Sequence, residues 1–431
     1  MKARLLIGVA FGSVLSLQLP AQAPQPAVPV PSAAQPAEPG SNLTVYLLTF
    51  GWGEAVWERF GHNAIWIKDR TRGTDMTYNW GMFDFDQPHF VWRFVTGDTK
   101  YWMEPIALEP MVRYYQQNNR SILAQELNLT PAQRLKLQQF VEWNAQPQNK
   151  FYRYDYYRDN CSTRVRDAID HAVGGQLQTA TVTRMTSGTY KWHTQRLLSS
   201  DLPMYTGVTL ALGHPADKPL SMWQEMFLPV RMANDLRSVK IADSVGTEIP
   251  LVRSESTLFT AGRSPEPAEP RNYFPLFIAV GILYAALLIV LVKNAEGGNR
   301  ISLFGATALA TIWSLIAGVG GLALVFAWLF TKHFFMGRNE NLLYFDPLSI
   351  ALVVLVPLAI YSLRGASRAL RFAGIIALLS LLGLVAQLLP PFDQKNGEII
   401  GLALPINLAV WWTVYRLTTQ RRTSLPSSAA L

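Results

Sequence analysis

The sequence predicts an α+β domain outside the membrane, followed by an all-α membrane domain of five helices. Three observations support this fold class. The chain begins with the pattern of an export signal, the segment 42–262 mixes strand-like and helix-like patterns, and the rest contains five apolar runs long enough to cross a bilayer. With 431 residues, the chain is long enough for a full core in the first part and a helical bundle in the second.

The first 23 residues have the features of a signal peptide. Lys2 and Arg4 precede an apolar run of about fifteen residues, which is short for a membrane span. Ala21 and Ala23 form a small-x-small cleavage pattern, but Pro24 disfavours cleavage directly after it, so the segment is either removed or kept as an anchor. Both outcomes deliver the rest of the chain outside the cytoplasm.

Composition divides the remainder into five segments. Residues 24–41 are rich in Ala, Pro and Gln and predict an extended linker. Residues 42–262 form the exported domain, and a second linker, rich in Pro and Glu, covers 263–273. Residues 274–418 contain the apolar runs, and 419–431 form a polar tail. The net charge of +8 comes partly from basic residues beside the apolar runs, and no clustered basic stripe indicates a nucleic-acid partner.

The exported domain begins with three strand-like segments. Leu43–Phe50 is β-branched and aromatic and predicts a buried strand. His62 stands at the start of a second strand, directly after Gly61, and Met76–Trp80 predicts the strand that returns from a turn.

Helix-like patterns follow these strands. Glu104–Gln117 has helical spacing, and Thr130–Pro131 is a typical helix start that predicts a helix to about Asn144. A further helix is predicted from Cys161 to Gly174–Gly175, because apolar residues recur at helical spacing between a polar turn and a glycine stop.

The membrane domain contains five apolar runs, each about as long as the bilayer core requires. Lys and Arg are unevenly distributed over the loops: eight lie on the side of the C-terminus and three on the other side. Since basic residues favour the cytoplasmic side, the C-terminus is expected in the cytoplasm, and an odd number of spans then places the α+β domain outside. The predicted spans are Phe274–Val292, Ile301–Phe330, Leu342–Leu363, Ala369–Leu389 and Ile399–Tyr415.

Cys161 is the only cysteine of the chain, and it stands at the first turn of a predicted helix. The helix dipole favours the thiolate there, and the thiolate is the reactive form. The alternative is an unreactive buried cysteine, which is common in proteins. The sequence contains no metal-binding spacing and no Gly-x-Ser-x-Gly motif, so a Cys–His pair is the chemistry that remains. We therefore expect no metal and no cofactor.

His62 is the expected base for this thiol. A histidine strand that precedes a cysteine helix by about a hundred residues is the order of a circularly permuted papain-like (NlpC-like) fold. His171 is excluded, because it lies ten residues down the cysteine helix, about 15 Å away by helical rise. Asn79 on the returning strand is the expected third residue, although Thr77 and Asp75 are equally open.

Other polar residues complete the predicted site. Asn160, directly before Cys161, is expected to support the oxyanion together with nearby backbone N–H groups. Between predicted spans two and three, His333, Asn339 and Asn341 are expected to bind a phospholipid headgroup. The alternative is an ordinary polar loop at the membrane interface.

Several segments of the chain are similar to the Lnb family. The first part resembles the Lnb N-terminal periplasmic domain, and the membrane part resembles the Lnb C-terminal transmembrane domain. The family usually carries a hydroxyl residue where this chain has Asn63. The segments that carry the resemblance are Tyr46–Thr49, Phe60–Ala64, Tyr78–Phe85, Tyr154–Arg164 and Trp223–Pro229 and, in the membrane part, His333 and Asn339–Leu343.

The resemblance implies a lipoprotein N-acyltransferase of Gram-negative bacteria, with His62 and Cys161 as the catalytic pair. Such a protein would lie in the inner membrane with its papain-like domain in the periplasm. A membrane phospholipid would donate an acyl chain to Cys161 as a thioester. The N-terminal amine of a diacylglyceryl-cysteine lipoprotein would then accept that chain.

Three other functions are compatible with these features. A periplasmic cell-wall peptidase or amidase would need the Cys–His pair but not the spans. A lipid thioesterase or phospholipase would transfer the acyl group to water. A non-enzymatic membrane scaffold would not need Cys161, so replacing Cys161 with alanine separates the scaffold from the enzymes.

Overall fold

The computed structural model describes residues 38–423, with side chains as far as Thr419. The predicted signal peptide (1–23), most of the first linker (24–41) and the end of the predicted tail (419–431) lie outside these residues. The described strands, in chain order, are β1 (Leu43–Phe50), β2 (His62–Asp69), β3 (Thr74–Met82), β4 (Lys100–Ala107), β5 (Ile122–Leu127), β6 (Phe151–Arg153), β7 (Met185–Thr189), β8 (Pro219–Ser221), β9 (Lys240–Ala242), β10 (Glu248–Pro250) and β11 (Val252–Phe259).

The exported domain is built on a seven-stranded sheet with the order β11-β5-β1-β2-β3-β4-β6, in which neighbouring strands are antiparallel. Two short pairs, β7 with β8 and β9 with β10, lie outside this sheet. The mixed α/β composition of the domain is thereby confirmed. The helices of this part are α1 (Phe90–Thr96), α2 (Leu108–Gln117), α3 (Pro131–Asn144), α4 (Cys161–Ala172), α5 (Gln176–Thr181), α6 (Tyr190–Leu197), α7 (Leu202–Ala211), α8 (Met222–Glu225) and α9 (Pro229–Leu236).

Both faces of the central strands are covered. Leu43, Val45 and Leu47 of β1 pack into a core that includes α3 and α4, whereas Leu48 and Phe50 pack with side chains of α2 on the other face. Burial on both faces explains why β1 reads as a nearly continuous apolar run rather than an alternating one.

The prediction of a helix over Glu104–Gln117 is wrong for its first four residues. Residues 100–107 form β4, and the helix begins only at Leu108. Tyr101 and Met103 are buried and alternate with more exposed neighbours. This period of two indicates a strand, and it was outweighed in the sequence by the helical spacing of the residues that follow.

The membrane domain contains four helices that are long and apolar enough to span a bilayer, by length and composition. They are α10 (Phe274–Glu296), α11 (Arg300–Phe330), α13 (Leu363–Ala386) and α14 (Gly397–Thr423). The predicted count of five spans is not confirmed. The third predicted span, Leu342–Leu363, contains only a 13-residue helix, α12 (Ser349–Tyr361), which is about 20 Å long.

The shortening of this third segment has a local cause. Residues Glu340–Leu343 form a 3-10 turn, and Asp346 accepts a hydrogen bond from the backbone N–H of Leu348 at 2.8 Å, just before α12 begins. The non-helical backbone at Tyr344 is satisfied inside the bundle, because Asn407 of α14 donates to the Tyr344 carbonyl at 2.9 Å. Irregular backbone at membrane depth is tolerated only with such internal partners.

The exported domain rests on one end of the helical bundle. The Asn341 side chain donates to the carbonyls of Thr209 and Leu210, near the end of α7, at 3.1 and 2.9 Å. The Tyr205 hydroxyl donates to Glu398 at the start of α14 at 2.9 Å. These buried contacts fix the domain against the ends of the membrane helices.

Candidate active site

Cys161 is the first residue of α4, and Asn160 is the residue that caps this helix. The Asn160 side-chain oxygen accepts the backbone N–H groups of Ser162 and Thr163, both at 2.9 Å. Its side-chain nitrogen donates to the carbonyls of Tyr156 and Phe227, both at 3.0 Å. The Asn160 amide therefore positions the Cys161 turn and has a supporting role. Its N–H groups are used by the two carbonyls and do not point at the thiol.

The thiol of Cys161 is partly buried and faces backbone N–H groups. Burial raises its pKa above the ordinary value, while hydrogen bonds from the N–H groups of Asn63, Ser162 and Cys161 itself lower it by less. The helix-dipole argument alone favours a thiolate, but desolvation outweighs it. The resting side chain is consequently a neutral thiol that needs a base.

His62 is the first residue of β2 and supplies a neutral imidazole. Its ring packs beside those of Phe50 and Tyr115, which stack on each other, with centroids 5.8 and 6.4 Å away. Burial, with a smaller effect from the Arg120 charge, lowers the pKa of His62 to about 4. Because Asn63, the next residue, donates its N–H to the sulfur, the start of β2 and the start of α4 meet at one site.

Asn79 of β3 contacts the imidazole directly. Its side-chain oxygen lies 3.3 Å from Nε2 of His62. Its nitrogen donates to the Thr77 carbonyl and hydroxyl at 3.2 and 3.1 Å, so the amide is held with the oxygen toward the ring. Asp75 instead accepts the indole N–H of Trp66 at 2.9 Å. Of the three open candidates, Asn79 is the one that the structure brings to His62, where its oxygen assigns the ring proton to Nε2 and leaves Nδ1 as a proton acceptor.

Arg120 is a site residue that the sequence did not indicate. Its guanidinium is buried, donates to the Gly51 carbonyl at 2.9 Å and pairs with Glu58 at 3.0 Å. It lies over the Tyr115 ring at 4.6 Å, and its charge lowers the pKa of both His62 and Cys161. A lone arginine between a turn and a strand has no motif that would have revealed this position.

Gly81 packs closely against the Cys161 side chain. Its φ is +90°, and a Cβ at this position would lie 3.3 Å from Cβ of Cys161 and 3.7 Å from the Tyr154 ring. The absent side chain lets the end of β3 approach α4, with the Tyr154 ring packed beside it. No group of three or more His, Cys, Asp or Glu side chains suited to a metal occurs within residues 38–423.

The three predicted headgroup residues have different positions. Asn339 and Asn341 are buried, and both donate to carbonyls of α7, so they join the two domains. His333 is half-buried, stacks on Tyr156 with centroids at 5.8 Å, and lies in the wall of a cavity.

This cavity has a volume of about 780 Å³ and lies between the exported domain and the outer end of α11. Arg158 in its wall lies over the Phe334 ring at 3.8 Å. Within residues 38–423, neither Arg158 nor Arg338 forms an ion pair with a carboxylate. The cavity therefore combines aromatic walls with two uncompensated guanidinium groups, an arrangement that suits a phosphate. Lining residues include Arg158, Lys218, Lys332, His333, Phe334 and Arg338.

Comparison with known families agrees with the two-part architecture. A model of the Lnb N-terminal periplasmic domain matches residues 34–201, and a model of the Lnb transmembrane domain matches residues 268–419. No match to the chain was found among curated proteins or among solved structures, so the papain-like relationship stays a prediction. The two matched domains cover most of the chain, which is a membrane protein with a periplasmic N-terminal domain and belongs to the Lnb family.

Proposed function

We propose that this protein is a thiol acyltransferase of the inner membrane. It moves an acyl chain from a phospholipid to the N-terminal amine of a diacylglyceryl-cysteine lipoprotein, through a thioester on Cys161. The observation that carries the proposal is the neutral imidazole of His62, oriented by Asn79, at the site where backbone N–H groups surround the Cys161 sulfur. A periplasmic domain resting on membrane helices supports a lipid substrate.

In the first half-reaction, Nδ1 of His62 takes the thiol proton as the sulfur attacks the ester carbonyl of the phospholipid. The resulting oxyanion is stabilised by backbone N–H groups beside Cys161, which already face the sulfur. The tetrahedral intermediate collapses with cleavage of the C–O bond, and the imidazolium protonates the departing glyceryl oxygen. A lysophospholipid leaves, and the acyl chain stays on Cys161.

In the second half-reaction, the α-amine of the lipoprotein attacks the thioester carbonyl. His62 takes a proton from the attacking nitrogen, and the C–S bond breaks in preference to the new C–N bond, since a thiolate is the better leaving group. The proton then returns to the sulfur. The amide product leaves, and the enzyme regains its neutral thiol and neutral imidazole.

The donor headgroup is assigned to the cavity that contains His333. Arg158 and Arg338 would bind the phosphate, with His333 beside them, at the level where outer-leaflet headgroups lie. Asn339 and Asn341 would act indirectly, by holding the loop between α11 and α12 against the exported domain.

The direction of the helices supports a cytoplasmic C-terminus. Arg416, near the end of α14, pairs with Glu296 at the end of α10 that is remote from the exported domain. The C-terminal end of the bundle therefore lies opposite the periplasmic domain, in agreement with the distribution of basic loops.

The test is intact mass spectrometry of the full chain, purified with native lipids, as wild type and as Cys161→Ala. We expect a mass increase of one acyl chain that hydroxylamine removes, in wild type alone. Adding a diacylglyceryl-cysteine peptide should discharge the adduct and yield the N-acylated peptide. Release of free fatty acid without amide would instead establish a lipid hydrolase, and wild-type peptide acylation by Cys161→Ala would overturn a role for the thiol.

A further inference from the structure

The short helix α1 exposes an apolar surface that a water-soluble domain would not leave uncovered. Val91 is 72% exposed and Trp92 61% exposed, and Phe94 is exposed beside them. Large exposed apolar patches of this kind mark contact with a membrane or a partner. We call the following set the aromatic surface: Trp57, Phe83, Phe85, Phe90, Trp92 and Phe94.

Helix α1 is fastened to the outer end of the second membrane helix. The Trp92 ring contacts that of Phe326 in α11, with centroids 6.3 Å apart. The backbone N–H of Lys332 donates to the Thr96 carbonyl at 2.8 Å, and the Lys332 ammonium pairs with Asp98 at 2.6 Å. The position of α1 relative to the membrane helices is therefore fixed by a ring contact with α11 and by two bonds to Lys332.

The depth of α1 follows from its contact with α11. Phe326 lies four residues before the end of α11 at Phe330, about 6 Å inside that end by helical rise. Leu329 and Phe330 of the same turn are exposed, so lipid surrounds the helix at this level. Since Trp92 packs at this depth, the surface of α1 continues the lipid-facing surface of α11, and acyl chains of the outer leaflet are its natural cover.

The aromatic surface also reaches the nucleophile through a series of ring contacts. Phe94 contacts Phe90 at 6.3 Å, and Phe90 contacts Phe83 at 6.0 Å. The series continues through Tyr101, whose ring centroid lies 5.1 Å from that of Phe83 and 4.3 Å from that of Tyr154. The Tyr154 ring lies beside Gly81, which packs against Cys161.

We propose that the aromatic surface is inserted into the outer leaflet and receives an acyl chain of a membrane lipid, which it leads to Cys161. Insertion follows from the contacts of α1 alone. The path to the thiol rests on the proposed acyl transfer. A substrate whose ester lies in the bilayer would thereby reach a thiol in the periplasmic domain without exposing its chain to water.

Insertion is tested with a fluorescent label in lipid nanodiscs. The full chain carries Cys161→Ala and either Val91→Cys or Val245→Cys, each labelled with the dye NBD. Val245 is 82% exposed in the turn between β9 and β10, which makes it the matched control. Lipids with a nitroxide at carbon 5 of the acyl chain should quench the label at residue 91 several-fold more than the label at residue 245. Equal quenching at the two positions would overturn insertion.

The path is tested by the ratio of two transfer rates, with a long-chain phospholipid and with a short-chain soluble ester as donor. The variant Trp92→Ser/Phe94→Ser should lower this ratio about tenfold, and Trp143→Ala, on the exposed face of α3, should leave it unchanged. An unchanged ratio in the α1 variant would overturn the path. If wild type transfers no acyl group at all, the proposed function fails, while the quenching result still decides insertion.

Discussion

The side-chain oxygen of Asn79 lies 3.3 Å from Nε2 of His62, on a strand directly beside the one that begins with this histidine. The contact orients the imidazole and places its proton on Nε2. In the proposed reaction, it would stabilise the imidazolium that forms when the thiol loses its proton. It connects β3 to the candidate site at the start of β2 and α4.

Replacing Asn79 with alanine should therefore lower kcat about tenfold or more, the range expected for a hydrogen bond to a charged group. The hydrogen bond raises the pKa of His62, so its loss should also move the acidic limb of the pH–rate profile to lower pH. Both are measured from the pH dependence of acyl transfer. A fall in rate with an unmoved limb would indicate structural damage rather than a positioning role.

The ionisation of Cys161 gives a second prediction. With a pKa above the ordinary thiol value, the side chain should be almost entirely protonated at pH 7. Its alkylation by iodoacetamide should then rise steadily with pH to beyond pH 9. As the control, the thiol of Val245→Cys in a Cys161→Ala chain should titrate with the pKa of an exposed thiol, about 8.5. A reactivity plateau below pH 7 would indicate a preformed thiolate–imidazolium pair and contradict this assignment.

Arg120→Gln should raise the pKa of His62, because the positive charge that disfavours the imidazolium is removed. Glu58 also loses its partner and would act in the same direction. The acidic limb of the pH–rate profile, expected near pH 4 in the wild type, should move to higher pH. Arg113→Gln, which removes an exposed pair with Glu109, is the matched control and should leave the limb in place.

The sequence was sufficient to place Cys161 at a helix start and His62 at a strand start, because both positions have local signals. A polar turn, a cap and a glycine stop define the helix of Cys161, and Gly61 before an apolar strand places His62 at a strand end. Arg120 could not be found this way, since its influence comes from a tertiary position. Asn160 was expected beside the oxyanion, but its amide is used by the helix cap.

The membrane domain shows a different limit of the sequence. Hydropathy identified every apolar segment but treated Leu342–Leu363 as one span, because a sum over a window does not register the break at Asp346–Pro347. The headgroup prediction was limited in a similar way. Composition could not distinguish His333, which faces a cavity, from Asn339 and Asn341, which are buried between domains.

Gly81→Ala separates backbone strain from steric contact at the thiol. The positive φ of Gly81 should cost about 1–2 kcal/mol of stability when a side chain is added. Gly73→Ala has a similar backbone cost, with φ of +65°, but its Cβ would meet nothing within 4 Å. The temperature of thermal unfolding should be lower than in wild type for both variants, whereas the rate of acyl transfer should fall only in Gly81→Ala. Equal activities of the two variants would remove the steric role of Gly81.

Asp235 should make stability depend on pH. Burial raises its pKa to about 7, with the Glu225 charge as a smaller cause, and its Oδ2 accepts no hydrogen bond within residues 38–423. The folded state thus holds a proton that the unfolded chain, with a pKa near 4, has lost, so stability falls as pH rises from about 4 to 7 and is level above. Asp235→Asn removes this charge and should unfold at a temperature about 2–4 °C higher than wild type at pH 8, with no difference at pH 4. Glu109→Gln, at an exposed carboxylate, is the control without such a pH dependence. A difference between wild type and Asp235→Asn that is the same at both pH values would mean that folding does not raise the pKa of Asp235.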